Sequence, residues 1–387
     1  MEQVITYLHR IKDFRQIGKV LHFIPEIILL VLLGMMANGQ DFEDYEMFGK
    51  KYLESLRLFL PYRHGIPSES TIKVVLKGIR PKIMNGLQGE MARYLSTAEG
   101  QSLQHLFSGD PSEEQRGKMH FSIDGKTVRG NRTADQSPLH IVTAHNGDAG
   151  FSVGQTAVDA KSNEITAIPL LIESLSCKDA VITIDASGTQ KAIASLIVKS
   201  EADYVLALKK NHGNFYSEVE TYFNKSGTRL ALMKQEASYK KTIDVGHGRE
   251  EIREYFLLND IGFCSQALKW EGIQGVGMVK STVITKDKKT VSYRYYMTTL
   301  SKDIELFSRV IRHHWKIESM HWHLDVTFRE DASKVINKNL AENLNVLRKM
   351  SLSLLKLMEF SKKLSIAKKR YALSMDFDVH VEKIQAL

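Results

Sequence analysis

Phe121-Ser-Ile-Asp-Gly-Lys-Thr127 and Val181-Ile-Thr-Ile-Asp-Ala186 are the two stretches on which the fold of this 387-residue chain turns. Each is a short apolar, β-branched run that closes on an aspartate, and a small residue, Gly125 or Ala186, follows at once. Runs of this length and composition read as buried strands. Leu139 to Ala144 and Phe151 to Val158 are two further strand-like runs set off by Gly, Asn and Asp, so residues 119 to 158 predict a three-stranded antiparallel meander. Helical spacing follows from Glu164 to Leu175, then the strand Ala180 to Ile184, a helix from Gln190 to Lys199 and a strand from Tyr204 to Leu208.

Three antiparallel strands followed by helix, strand, helix, strand is the order of a ribonuclease H-like α/β domain, a mixed sheet with flanking helices. Working outward, residues 1–100 read as an N-terminal helical domain, with Ser68 or Ser70 placed to cap a helix through Ile72, Val75 and Leu76. Residues 101–118 are the expected linker, and 119–214 the first part of the core. A β-rich insertion is expected over 215–300, with strands at Glu251 to Leu257, Gln274 to Thr285 and Val291 to Thr299. Residues 301–387 then complete the core, through a long helix from Ile304 to Phe328 and basic C-terminal helices.

Composition narrows the function class. With 43% hydrophobic and 25% charged residues the chain is an average globular protein, not a disordered or collagenous one. Its longest apolar run, Ile27 to Met36, is shorter than the roughly 18 residues a membrane span needs, and no secretory signal precedes it. Two cysteines, Cys177 and Cys264, form no close pair, which fits a cytoplasmic protein without disulfides. The net charge is +8, and +6 of it falls between Lys334 and Leu387, where 11 Lys or Arg face 5 Asp or Glu. That tail, with Lys362, Lys363, Lys368, Lys369 and Arg370, reads either as a solvated helix face or as a polyanion-binding one.

Asp124 and Asp185 carry the chemistry that the strands suggest. One acidic residue closing a strand is often a turn former. Two on adjacent strands repel each other unless a cation lies between them, and Mg²⁺, which prefers oxygen ligands, is the natural one. A third group can come from the helix Arg312-His-His-Trp-Lys-Ile-Glu-Ser-Met-His-Trp-His-Leu-Asp325. There Val310, Ile317, Leu324 and Phe328 form an apolar stripe, and His314, Glu318, His321 and Asp325 a polar one beside it. A solvated polar face and a helix-borne zinc site both compete for that polar stripe, although no H-E-x-x-H signature is present.

At this point the chain resembles bacterial insertion-sequence transposases of the H-repeat-associated (ISAs-type) family. The resemblance lies in Asp-Gly-Lys at 124–126, Lys-Ser-Asn-Glu-Ile-Thr-Ala-Ile-Pro at 161–169, Ile-Asp-Ala-Ser-Gly-Thr-Gln at 184–190 and Leu-Lys-Lys-Asn at 208–211. It continues in His-Gly-Arg-Glu at 247–250 and in His-Trp-Lys-Ile-Glu with His-Trp-His-Leu-Asp-Val at 314–326. Ser187, Thr189, His212 and Lys334 depart from the family pattern, and none of these departures touches a carboxylate. The resemblance implies a DDE transposase that binds double-stranded DNA at inverted-repeat ends as a homodimer and acts through Mg²⁺ or Mn²⁺. It puts the acidic triad on Asp124, Asp185 and Glu318. Candidates for holding DNA around it are Lys126, Arg129, Arg312, His314, Trp315, Lys316, His321 and Trp322, with His247, Arg249 and Arg253 in the insertion. An inactive DNA-binding relic, or a nuclease that never joins cut ends to target, are the alternatives.

Overall fold

The computed structural model describes residues 1–95, 118–135, 137–158, 162–223, 233–246 and 248–387. The expected linker falls almost wholly outside these residues, as does His247. The meander forms from β1 (His120–Val128), β2 (Leu139–Asn146) and β3 (Phe151–Ala157). β4 (Val181–Ile184) then lies parallel to β1, and β5 (Asp203–Leu208) parallel to β4. All four β4 residues are buried, as expected of a strand covered on both faces by helices. This is the ribonuclease H-like arrangement that the order of elements predicts, built as a mixed α/β sheet.

The β-rich segment extends the same sheet. β6 (Ser238–Gly246), β7 (Arg249–Leu258), β8 (Gly275–Thr285) and β9 (Lys289–Thr298) form antiparallel ribbons, and β9 docks antiparallel on β5. The result is nine strands in the order β3-β2-β1-β4-β5-β9-β8-β7-β6. The sequence reading missed β6, whose residues are largely exposed and carry Lys240, Lys241 and Asp244 instead of an apolar alternation. Charged residues of this kind suit an edge strand, where they discourage pairing with another chain.

Side-chain alternation assigns the two faces. Ile123, Ile182, Ile184 and Leu206 face a core shared with the helices Glu164–Ser174, Lys191–Lys199 and Asn214–Phe223. Val181, Val205, Leu257 and Val279 face the opposite way, toward Leu306, Phe307, Val310 and Ile311 of the helix Ile304–Trp322. Further along that helix the expected apolar stripe divides: Val310 packs on the sheet, while Ile317 and Phe328 enter the core of the N-terminal helices.

The helix departs from its expected course near its end. α-Helical geometry stops at Trp322, and His323–Thr327 forms a π turn closed by Phe328 N donating to His323 O at 2.9 Å. The N-terminal helices, among them Ile24–Met36, Phe42–Lys51 and Glu69–Gly78, pack with the helix Lys338–Leu357 in one apolar core. Ser68 caps the Glu69–Gly78 helix through Thr71 N at 3.4 Å.

Part of the basic tail is interior. Arg370 is 1% exposed, donates to the carbonyls of Met35, Gly39 and Thr327, and lies 4.2 Å from the Phe328 ring centroid. Lys369 donates to Leu355 O and Met358 O at 2.7 and 2.6 Å, closing the C-terminal end of the Lys338–Leu357 helix. Removing a buried charged donor orphans its carbonyls. Arg370→Met should therefore lower stability by about 3 kcal/mol, whereas Lys362→Met, at an exposed position, should stay within about 0.5 kcal/mol of the parent. Denaturant unfolding midpoints check both, and equal losses would contradict the assignment.

Candidate active site

Asp124 and Asp185 meet because β1 and β4 pair in parallel with Ile123 opposite Ile184, so the residues just beyond that pair emerge side by side. The same alternation that buries Ile123 and Ile184 below the sheet turns both aspartates toward the helix Ile304–Trp322. Thr183 marks this face, with its hydroxyl 2.8 Å from His120 Nε2 and 2.8 Å from His314 Nδ1. Burial first, and the neighbouring Asp185 second, push the Asp124 carboxyl up to about 7, with Glu164 and Glu318 adding to the effect. Asp185 is fastened by its own turn: Ser187 N, Gly188 N and the Ser187 hydroxyl donate to Oδ1 at 3.0, 3.2 and 2.7 Å.

Glu318 lines a cleft with Asp185, Lys209, Arg294, His314 and Trp315. What burial it has raises its pKa, and the nearby Arg294 and Lys209 oppose that rise. Arg294 lies over the Trp315 ring at 4.2 Å, a cation–π contact that fixes the guanidinium beside the carboxylate. The cleft opens into a larger one of about 680 Å³ past Asp185, walled by Lys209, Lys210, Asn211, Tyr216, Tyr293 and Arg294. Sequence reasoning missed Arg294, which sits in a strand with nothing to mark it. Lys209 belonged to a recognised block but had no role assigned.

The other candidates lie as follows. Lys126 has its ammonium 2.7 Å from Asp325, 2.8 Å from Glu330 and 3.7 Å from Asp331, so carboxylates already match its charge. Glu330 is fully buried; burial alone would push its carboxyl up, yet Lys126 and Arg348 hold it down at about 2. Burial likewise holds His314 down at about 4 and His321 at about 3, so both rings are neutral near pH 7. His321 Nδ1 stands 3.5 Å from Asp124 Oδ2. Trp322, Arg129 and Arg312 are exposed, and Lys316 is half-buried near Lys356. Arg249 and Arg253 are not brought to the aspartates: β5, β9 and β8 separate their strand from β4, and both pair with Glu251.

One further carboxylate joins the site from below the sheet. Glu164, in the first turn of its helix, reaches past Gly125 and accepts from His140 Nε2 at 2.7 Å, while its other oxygen lies 3.2 Å from the Ser187 hydroxyl. His140 Nδ1 in turn lies 2.8 Å from Thr127 Oγ1. A Cβ on Gly125 would stand 2.2 Å from Glu164 Oε1, so only glycine leaves room for this approach. An acidic residue in a first helical turn usually serves the helix dipole, which is why its sequence position alone did not single it out.

The family described as Transposase DDE domain matches residues 115–354, and the one described as DDE_Tnp_1-associated matches residues 5–89. The chain belongs to the DDE transposase family. It is 33% identical to "Putative transposase YncI" of Escherichia coli O157:H7 over 366 residues, which cover 92% of this chain and 88% of the relative. It is 29% identical to "H repeat-associated putative transposase YhhI" of Escherichia coli K12, covering 92% of this chain and 90% of that one. A cryo-EM structure of a piggyBac transposase synaptic complex with hairpin DNA aligns at a TM-score of 0.37 and 9% identity, covering 100% of this chain and 77% of the other, too distant to weigh here.

Members of this family generally use divalent metals. Among the described residues, no three His, Cys, Asp or Glu side chains already converge as a finished metal site. The donor set nevertheless suits a hard cation, because the Asp124–Asp185 repulsion is of the kind that a divalent ion turns into attraction. A carboxyl with a raised folded-state pKa holds its proton more tightly in the folded chain. Its stability contribution is therefore best below about pH 4 and is lost as pH rises through about 7. Asp124→Asn should relieve that penalty: in EDTA at about pH 8 the variant should be more stable by on the order of 2 kcal/mol, with the gain fading toward about pH 4. Denaturant midpoints at the two pH values test this, and an equal gain at both would contradict it.

Proposed function

We propose that the chain is an active DNA transposase that cuts at the inverted-repeat ends of an insertion sequence and joins the freed 3′ hydroxyls to target DNA. The observation that carries this reading is the Asp124–Asp185 pair, set side by side where the parallel pairing of β1 with β4 stops, beneath the helix bearing Glu318, with the Asp124 carboxyl pushed up to about 7.

In this reading Asp124, Asp185 and Glu318 would hold Mg²⁺ or Mn²⁺. When bound, the ions supply Lewis-acid activation of the attacking oxygen and neutralise charge on the leaving one. The chain's own residues do the rest. Arg294, fixed over Trp315, and Lys209 hold phosphate oxygens beside Glu318. Asp185 keeps its position through the Ser187 and Gly188 amides, and the neutral His314 is a rigid spacer between Thr183 and the helix. Water attacks the phosphorus at the transposon end, the bond between that phosphorus and the transposon's terminal O3′ breaks, the flanking strand keeps the phosphate with the water's oxygen, and the transposon O3′ leaves and takes up a proton as a free 3′ hydroxyl. That hydroxyl then attacks a target phosphodiester, exchanging one P–O bond for another. Two ends must be brought together, so the acting species is a homodimer on DNA, in the cytoplasm.

Asp325 lies in the π turn and is engaged with Lys126 at 2.7 Å, which supports Glu318 as the third ligand. Asp124→Asn, Asp185→Asn and Glu318→Gln should each abolish Mg²⁺-dependent nicking of a duplex copied from the DNA flanking the gene, while leaving gel-shift binding intact. Asp325→Asn should retain at least partial cleavage. Cleavage by Glu318→Gln with none by Asp325→Asn would reassign the ligand. Activity that requires Zn²⁺ and both His314 and His321 would replace the Mg²⁺ reading. Binding with no cleavage by the parent chain would mark an inactive relic, and cutting without joining would mark a nuclease.

A further inference from the structure

A second cleft, of about 660 Å³, opens between the N-terminal helices and the segment that joins the π turn to the helix Lys338–Leu357. Four cations line it. Lys73 and Lys77 stand one turn apart on the helix Glu69–Gly78, and Arg329 and Lys334 come from the joining segment. All four are exposed, and none forms an ion pair with another described residue. Against them the lining carries one carboxylate, Asp41, which serves as the N-cap of Phe42–Lys51 by accepting from Asp44 N at 3.0 Å. The helices Phe42–Lys51 and Lys338–Leu357 both begin at this wall, at Asp41 and Asn337, and turn the positive ends of their dipoles toward it.

Like charges gathered without counter-charges raise the free energy of the folded chain, and a polyanion relieves them. Arg329 adds a backbone cost of its own, since a φ of 51° is left-handed and disfavoured for a residue with a side chain. Directly after it, buried Glu330 binds Lys126, two residues beyond Asp124 on β1, so a stiff junction connects the cleft to the acidic pair. The four cations come from two walls instead of converging on one point, which suits a run of phosphates better than a single anion. The two aromatic residues of the lining offer no open face for a stacked base, because Tyr45 is buried and Phe42 packs against it at 6.1 Å and 87°.

We infer that this cleft, through Lys73, Lys77, Arg329 and Lys334, holds the phosphate backbone of duplex DNA adjoining the bond that the acidic site cuts. The inference rests on the transposase reading and names a surface which that reading leaves open.

The test is fluorescence anisotropy with a labelled duplex copied from the DNA flanking the gene, across a salt series. It compares the parent chain, the Lys73→Gln/Lys77→Gln/Arg329→Gln/Lys334→Gln variant and a Lys362→Gln/Lys363→Gln control, with circular dichroism and melting temperature checked for each. Each lost phosphate contact should flatten the slope of log affinity against log salt by about 0.9. The four-site variant should therefore lose roughly 2 to 4 in slope and at least about tenfold in affinity, while the control loses neither. An unchanged slope in the four-site variant, or an equal loss in the control, overturns the inference. So does a loss seen only with a single-stranded probe, or with inorganic phosphate competing as well as DNA. Parent-chain cleavage with an unchanged four-site slope would sink the cleft alone. A parent chain that binds no duplex would sink both the cleft and the transposase reading.

Discussion

Parallel pairing of β1 with β4 is the constraint on which the rest of the molecule depends. It brings two carboxylates side by side on one face where that pairing stops, and there Asp185 adds to the burial that pushes the Asp124 carboxyl up. Everything around them holds that unfavourable pair in place. β4 and β5 are apolar on both faces and buried by helices on each side, so the strands cannot slip without exposing Ile182 and Leu206 below or Val181 and Val205 above. The turn after β4 supplies three donors to Asp185, and Gly125 lets Glu164 come up from beneath.

Buried charges beside the site do a different job. Lys126, Glu330, Arg348 and Asn345 form a network that locks the segment after the π turn onto β1. Lys349 reaches Thr143 and Gln155 at 2.7 and 2.6 Å on the same face, its ammonium lowered to about 7 mainly by burial. Thr143 lies directly opposite Asp124 in the β1–β2 register, so this helix is tied to the sheet beside Asp124. Such groups are costly to leave unpaired, so they oppose movement of the elements they join.

The parts of the fold legible in the sequence are those whose burial is written in side-chain type. β1 and β4 read as strands because both are apolar up to an aspartate, and the Ser68 cap was visible as a serine before an amphipathic run. β6 was not legible, since an exposed edge strand carrying Lys240 and Lys241 has no apolar alternation to reveal it. The π turn at 323–327 could not be read either, because a distant residue takes part in it: Arg370 donates to Thr327 O. That same arginine shows why counting charges misjudged the tail. A Lys or Arg adds the same unit to net charge whether it is solvated or, like Arg370 and Lys369, tied to backbone carbonyls. In the site, the expectation that an apolar strand closes on each aspartate holds for Asp185 but not for Asp124, because β1 continues to Val128 through its pairing with β2; Glu318 as their partner was suggested by helix spacing with the family resemblance. Arg294 and Glu164 were not legible, because only tertiary packing brings them there.

Proton release on binding of a divalent ion tests the central claim most directly. Titration calorimetry with Mn²⁺ near pH 6.5, repeated in buffers of different ionisation enthalpy, reads the protons displaced per ion bound. If Asp124 and Asp185 are a repelling pair that shares a cation, the parent chain should release up to about one proton per site. Asp124→Asn should bind weakly and release none. Proton release of equal size in Asp124→Asn, or tight binding by the parent with no proton displaced, would contradict the account.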